Sequence, residues 1–303
     1  MRSASALRQR FTRLIVSTSA VLGYLVLLHD VDQAYRQSKD ELTRTIYLRL
    51  RPEDAALFEI NGDQVLKVVL ALYSFSDAGD YWYVPVIKQA EGDLGLCPLT
   101  GDPSLYVRPS EASVNGRMGK YVDDFLHGSN EGFHDLTLKR RKVFEAKPQE
   151  WDCVEFFGVC VKALPGPPCS FTFSQDKYVE DAIKQPLDID IETFVSVRSG
   201  FACLAHRRPD LCCATNRSAQ VTTPSFCVRH VQELNKAIKH AKATARLNLR
   251  YIPLDWDTRH LRAYAEACFA KNEDLVSQLG LVVVLCDGRD RCHVLAFPDR
   301  RFA

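Results

Sequence analysis

The sequence predicts an α+β fold built on antiparallel sheet, and three observations point there. Strand-like and helix-like runs interleave along the 303 residues without the regular βαβ alternation of a parallel sheet. In "GKYVDDFLHGS", at 119–129, a strand, a tight turn and a second strand follow one another directly. Three further strand-like runs close the chain: "LRAYAEACFA", "LGLVVVLCD" and "CHVLAF".

Taken in order, the opening "MRSASALRQRFTRLIVSTSAVLGYLVLL" has a basic start and an uncharged stretch over 14–28. It reads as a helix over about residues 5–21 feeding a buried strand at 24–28, with Arg8, Arg10 and Arg13 on a solvated helix face. The stretch is short for a membrane span and carries Ser17, Thr18, Ser19 and Gly23, and no small-residue cleavage site follows it. The expectation is an intracellular protein, cytoplasmic or nuclear; an N-terminal anchor or secretion signal is the alternative. "TIYLRLRP" alternates Ile46, Leu48 and Leu50 against Tyr47, Arg49 and Arg51, the period of a half-buried strand. "DQVLKVVLALYSF" and "DAGDYWYVPVIKQAEG" read as helices, the second stopped by Gly92, with Trp82 and Tyr83 packed in the core. "SLYVRP" is a strand, and "GFHDLTLKRRKVFEAK" a helix ended by Pro148. "VEFFGVCVKAL" and "FTFS" are strands flanking the turn-rich "PGPPC". Residues 192–246 read as mostly helical, with breaks at Pro209 and Pro224.

Composition narrows the function little. Hydrophobic residues make up 46% and charged residues 25%, an ordinary globular mix. A net charge of +1 supplies no global attraction to nucleic acid, so any such affinity must come from local patches. The 11 cysteines form no C-x-x-C pair, and Cys286 with Cys292–His293 has no second half to complete a zinc set. Reduced thiols are expected, with Cys212–Cys213 as small buried hydrophobes. There is no Walker-type glycine loop and no G-x-S-x-G elbow.

Chemistry concentrates in three carboxylates. Asp123 and Asp124 are adjacent between β-formers, where like charges repel unless water or a cation intervenes. Asp30 follows the apolar strand 24–28, where a buried sheet meets solvent. Brought together, the three would favour two Mg²⁺ ions, which take sparse carboxylates, water and phosphate oxygens. Such a pair serves an in-line phosphoryl displacement.

"DVDQAY" and "YVDD" resemble the palm signatures of reverse transcriptases, and the wider chain resembles the Ty1/copia-type retrotransposon enzymes, especially those of fungal elements. The resemblance runs in order through "HDVDQAYRQSKDELTRTIYLRLRP", "LKVVLALYSFSDAGDYWY", "LGLCPLTGDPSLYVR", "HRRPDLCCATNRSAQVTTP", "ELNKAIKHAKAT" and "SQLGLVVVLCD". It implies a reverse-transcriptase palm with a remnant of the fingers over 1–160, a mostly helical thumb or connection over 161–255, and truncated RNase H-like strands over 256–303. It implies RNA-directed DNA synthesis by two-metal nucleotidyl transfer, with Asp30, Asp123 and Asp124 as metal-binding catalytic residues. The Val31 carbonyl would complete a metal shell, and Tyr35 would lie under the incoming sugar and by bulk disfavour a 2′-hydroxyl. Partners would be an RNA template, a DNA primer, a dNTP and the remainder of a polyprotein. Asp32 matches no metal position.

The chain departs from the family in three places. About 29 residues precede Asp30 where the family has a long fingers region. Ser74 replaces a glycine in "LYSF", and Glu266 stands where the RNase H-like segment carries an aspartate. RNase H activity is not expected, and a non-catalytic nucleic-acid-binding relic is the alternative to a polymerase. Lys236, Lys239, Lys242 and Arg246 recur at helical spacing as a candidate phosphate-tracking stripe, while "KRRK" at 139–142 reads as a solvated helix face.

Overall fold

The computed structural model describes residues 7–38, 41–57, 59–61, 64–72, 75–108, 114–140, 153–156, 158–166, 169–181, 190–205, 207–268, 277–297 and 299–302. It is mixed α and β with antiparallel sheets, and it divides into two compact units. The first comprises Met1–Leu7, His29–Phe125 and Gly132–Pro148; the second comprises Arg8–Leu28, Leu126–Glu131 and Gln149–Ala303.

Helix α1 (Gln9–Leu22) ends where Gly23 turns left-handed at φ 68° and Tyr24 N–H bonds back to the Ser19 carbonyl. Strand β1 (Leu25–Asp30) follows and carries Asp30 as its last residue. Beyond it come the single turn α2 (Ala34–Gln37), strand β2 (Ile46–Leu48), α3 (Pro52–Leu57) and β3 (Leu66–Val68).

Two expectations fail in this region. The described residues of the stretch 63–75 (64–72 and 75) are not helical: residues 66–68 pair antiparallel with β2, Ile46 opposite Val68. Val65, Val68 and Val69 favour an extended chain once a partner strand is available. At β2 the outward Tyr47 is 63% exposed and Ile46 and Leu50 are half-buried, as alternation predicts, but Leu48, expected on the covered face, is 44% exposed.

Helix α4 (Ala78–Ile87) does not stop at Gly92 but widens into a π-helical segment, Lys88–Asp93, that passes through it. Strands β4 (Cys97–Leu99), β5 (Asp102–Val107), β6 (Gly116–Tyr121) and β7 (Asp124–Ser129) follow, and then α5 (Glu131–Arg140). Five strands form one sheet in the order β1-β7-β6-β5-β4. In the first unit Val31, Ala34, Trp82, Val86, Met118, Phe125 and Phe133 form the core. Trp82 is fully buried, as its sequence context predicts. Gly116 is required by close approach, since a Cβ there would lie 2.4 Å from the Phe133 ring.

The second unit holds a sheet of order β11-β10-β9-β8, made of β8 (Cys153–Phe156), β9 (Val159–Leu164), β10 (Ser170–Ser174) and β11 (Leu249–Tyr251). Between β10 and β11 run α6 (Asp176–Asp181), α7 (Ile191–Ala205), α8 (Cys212–Ala219) and α9 (Val228–Ala243). Short 3₁₀ turns begin at Pro209 and flank Pro224, where the breaks were expected. Phe194, Phe201, Leu204, Leu234 and Ile238 form the core of this helical layer. The last sheet joins β12 (His260–Cys268), β13 (Ser277–Cys286), β14 (Cys292–Ala296) and β15 (Asp299–Phe302). Its order is β12-β13-β14, with β15 also on β13.

Arg13 corrects the reading of α1 as a helix with a solvated arginine face. It is 5% exposed, its Nε donates to the Leu295 carbonyl at 2.7 Å, and its guanidinium lies 4.4 Å from the Phe297 ring centroid. Ser17 on the same helix bonds His293 Nδ1 at 2.8 Å. Cysteine is also corrected twice. Cys153 and Cys160 are joined across β8 and β9, with Cα atoms 6.1 Å apart. Cys212 is half-buried and Cys213 exposed. Among the described residues no helix is long and apolar enough to cross a membrane.

Candidate functional site

Asp30 ends β1 and Val31 follows it, and Val122–Asp123 form the two-residue turn between β6 and β7. One backbone bond joins these places: Val31 N–H donates to the Asp123 carbonyl at 3.1 Å. The turn is strained, because Val122 has φ 56°. A β-branched residue in the left-handed region is a clear outlier and costs about 1–2 kcal/mol. Trp82, beneath the sheet on α4, holds this conformation through its indole N–H, which donates to the Val122 carbonyl at 2.8 Å. The same indole meets the Phe125 ring edge-on at 6.5 Å. Buried packing on both sides of the turn therefore fixes where Asp123 and Asp124 leave the backbone.

All three aspartates are half-buried, whereas Val31 is buried and anchors its segment in the core. Asp32 is exposed, as a turn residue should be. Tyr35 lies on α2 and packs, half-buried, against the cluster of Val31, Ala34 and Trp82. Gln33 leads into that turn in a second left-handed conformation, φ 50°. The structure thus brings Asp30, Val31, Asp123 and Asp124 to neighbouring strand ends, with Tyr35 one turn further along.

The residues expected to hold metal offer three carboxylates and a backbone carbonyl, hard oxygens of the kind Mg²⁺ takes. Among the described residues no three His, Cys, Asp or Glu side chains converge as a metal-holding group. The fit to Mg²⁺ therefore rests on ligand chemistry and on the backbone placement of the donors.

One titratable group beside the turn was missed in the sequence. Lys120 is 0% exposed, its ammonium 4.4 Å from the Tyr83 ring centroid and without a hydrogen-bond partner among the described residues. Burial pushes its pKa down from 10.5 to about 8. The signal was parity: Lys120 shares a strand face with Met118, a core residue.

In the second unit, Lys236, Lys239 and Lys242 are exposed on α9 and Arg246 is exposed just past its end. The opposite side of α9 buries Val231, Leu234, Ile238 and Ala241. Lys236 also edges a cavity of about 380 Å³ lined by Phe194, Leu211, Leu234 and Arg217. Ser74 and the side chains of 139–142 lie outside the described residues. Compared with known proteins, the chain matches no protein-family model, and no curated protein matches its sequence.

Proposed function

We propose that this chain carries a reverse-transcriptase-like palm and performs two-metal nucleotidyl transfer, copying an RNA template onto a DNA primer from dNTPs. The observation that supports the reading is the pinned turn. A strained Val122, held by Trp82 and by the Val31–Asp123 bond, sets two aspartates beside the strand end that carries a third. Strain of this kind persists only where the surroundings over-determine it, and it clusters at functional sites.

In this reading Asp30, Asp123, Asp124 and the Val31 carbonyl would hold two Mg²⁺ ions. When bound, the ions would activate the primer 3′-hydroxyl and neutralise charge on the triphosphate. The chain's own residues do the positioning. The Trp82 and Val31 contacts keep the carboxylate-bearing backbone rigid, and rigidity is what an in-line attack geometry requires. Tyr35, braced on the apolar cluster, presents its ring beside Val31 as the floor for a deoxyribose. RNase H activity is not part of the proposal, because Glu266 stands in place of the aspartate that the resemblance calls for.

Primer extension on an RNA template with Mg²⁺ tests the site by comparing the wild type with Asp123→Asn. The expected result is incorporation by the wild type and a loss of about a hundredfold or more in the variant. Equal incorporation by both would rule the site out. No incorporation by either would favour the second reading, a non-catalytic nucleic-acid-binding protein. The exposed cations of α9 support that reading independently.

A further inference from the structure

Strand β12 lies at the edge of its sheet and has one neighbour, β13, among the described residues. It is 9 residues long and contains no proline to block a further strand. Leu261 is 67% exposed and Tyr264 57%, and Ala263, Ala265 and Glu266 are exposed as well. Arg262, Tyr264 and Glu266 share one face of the strand.

The charges on that face are self-complementary. When the strand is laid antiparallel against a copy of itself, with Tyr264 opposite Tyr264, Arg262 faces Glu266 of the second copy and Glu266 faces its Arg262. Ala263 faces Ala265 on the other side of the sheet. Slipping the register by two residues in either direction sets Arg262 or Glu266 opposite tyrosine. Slipping by four sets Arg262 opposite Arg262, or Glu266 opposite Glu266. One even register therefore matches both charges, and opposite charges directly across a strand pair stabilise it while like charges oppose it.

We propose that β12 pairs with β12 of a second copy of this chain, in the register centred on Tyr264, joining two sheets across a two-fold axis. Such a contact is isologous and closes at two copies. Arg262 already bonds Asp290 at 2.8 Å, but both side chains are exposed, 41% and 77%, and an exposed pair of this kind competes weakly. The tyrosine pair and the two charge pairs lie on one face, so the contact adds an apolar centre flanked by salt bridges. The edge is short, which makes the association weak and concentration-dependent. This inference stands apart from the polymerase reading: it uses no residue of the carboxylate site.

Sedimentation velocity of the full chain, from about one to a few hundred micromolar, tests it. The wild type should pass from monomer to dimer. Arg262→Glu and Glu266→Arg should each weaken dimerisation by about tenfold or more, because either change sets like charges opposite at two symmetric places. The double variant, Arg262→Glu with Glu266→Arg, should recover the wild-type dimer. That recovery shows that the single variants fail through register and not through misfolding. A wild type that stays monomeric throughout overturns the proposal. So do single variants that dimerise normally, a double variant that does not recover, or assemblies that grow past two copies.

Discussion

Lys120 is a cation held where a hydrophobic side chain would be expected, fully buried against Tyr83 with no hydrogen-bond acceptor among the described residues. Burial disfavours its charged form and lowers its pKa from 10.5 to about 8. The unfolded chain therefore binds a proton more readily than the folded one between these values, and stability rises with pH across that window. Below pH 8 the penalty is fully present, about 3 kcal/mol at 1.36 kcal/mol per pH unit. Lys120→Met, of similar length, should stabilise the protein by about that amount at pH 7, and the gain should fade as pH rises toward 10.5. Urea denaturation of both forms at pH 7 and pH 10 checks it; an equal difference at both pH values would contradict it. The hairpin that carries Asp123 and Asp124 was legible because strand, tight turn and strand follow one another directly in the sequence. The left-handed Val122 was not, since the turn preferences of asparagine and glycine give no warning of a valine there.

Among the elements, α9 was the easiest to read. Its buried Val231, Leu234, Ile238 and Ala241 follow helical spacing, and the lysines fall outside them. If those cations track phosphates, each contact adds about 0.7 to the salt dependence of single-strand binding. Replacing Lys236, Lys239, Lys242 and Arg246 with glutamine should then weaken RNA binding and flatten the log–log salt slope by about 3. Fluorescence anisotropy with a labelled RNA between low and moderate salt measures this, and an unchanged slope would remove α9 from the interface. The stretch 63–75 was misread because its apolar residues fit either period, and the deciding factor was a partner strand, β2, some twenty positions away. Arg13 was misread for the same kind of reason. Its partners, Leu295 and Phe297, lie at the other end of the chain and leave no local trace.

Across the whole molecule, the two units carry titration signatures of the same sign in different pH windows. Lys120 belongs to the first and His293 to the second. His293 is fully buried, with Nε2 2.7 Å from the Ile252 carbonyl and Tyr251 stacked edge-on at 5.1 Å. Burial lowers its pKa from 6.5 to about 4. The unfolded chain binds the proton first on acidification, so stability is lost as pH falls from 6.5 toward 4, by up to about 3 kcal/mol. Thermal melts should show this acid loss in the second unit, and His293→Asn should flatten it; a melt insensitive to pH in that window would refute the assignment. The α+β class and most strand positions were legible because periodicity is local. The division into units was not, because each draws on separated stretches of chain.

The bond from Arg13 to Leu295 spans 282 residues, and that from Ser17 to His293 spans 276. At a synthesis rate of about 5–20 residues per second, α1 waits roughly 15–60 seconds on the ribosome before its partners emerge. Throughout that interval Arg13 and Ser17 lack β14, the strand they bond to, while β7, which sets Gly128 against Ile15, emerges earlier. Those two bonds therefore form only once β14 has emerged, so α1 settles into its final contacts long after the helix itself has been made.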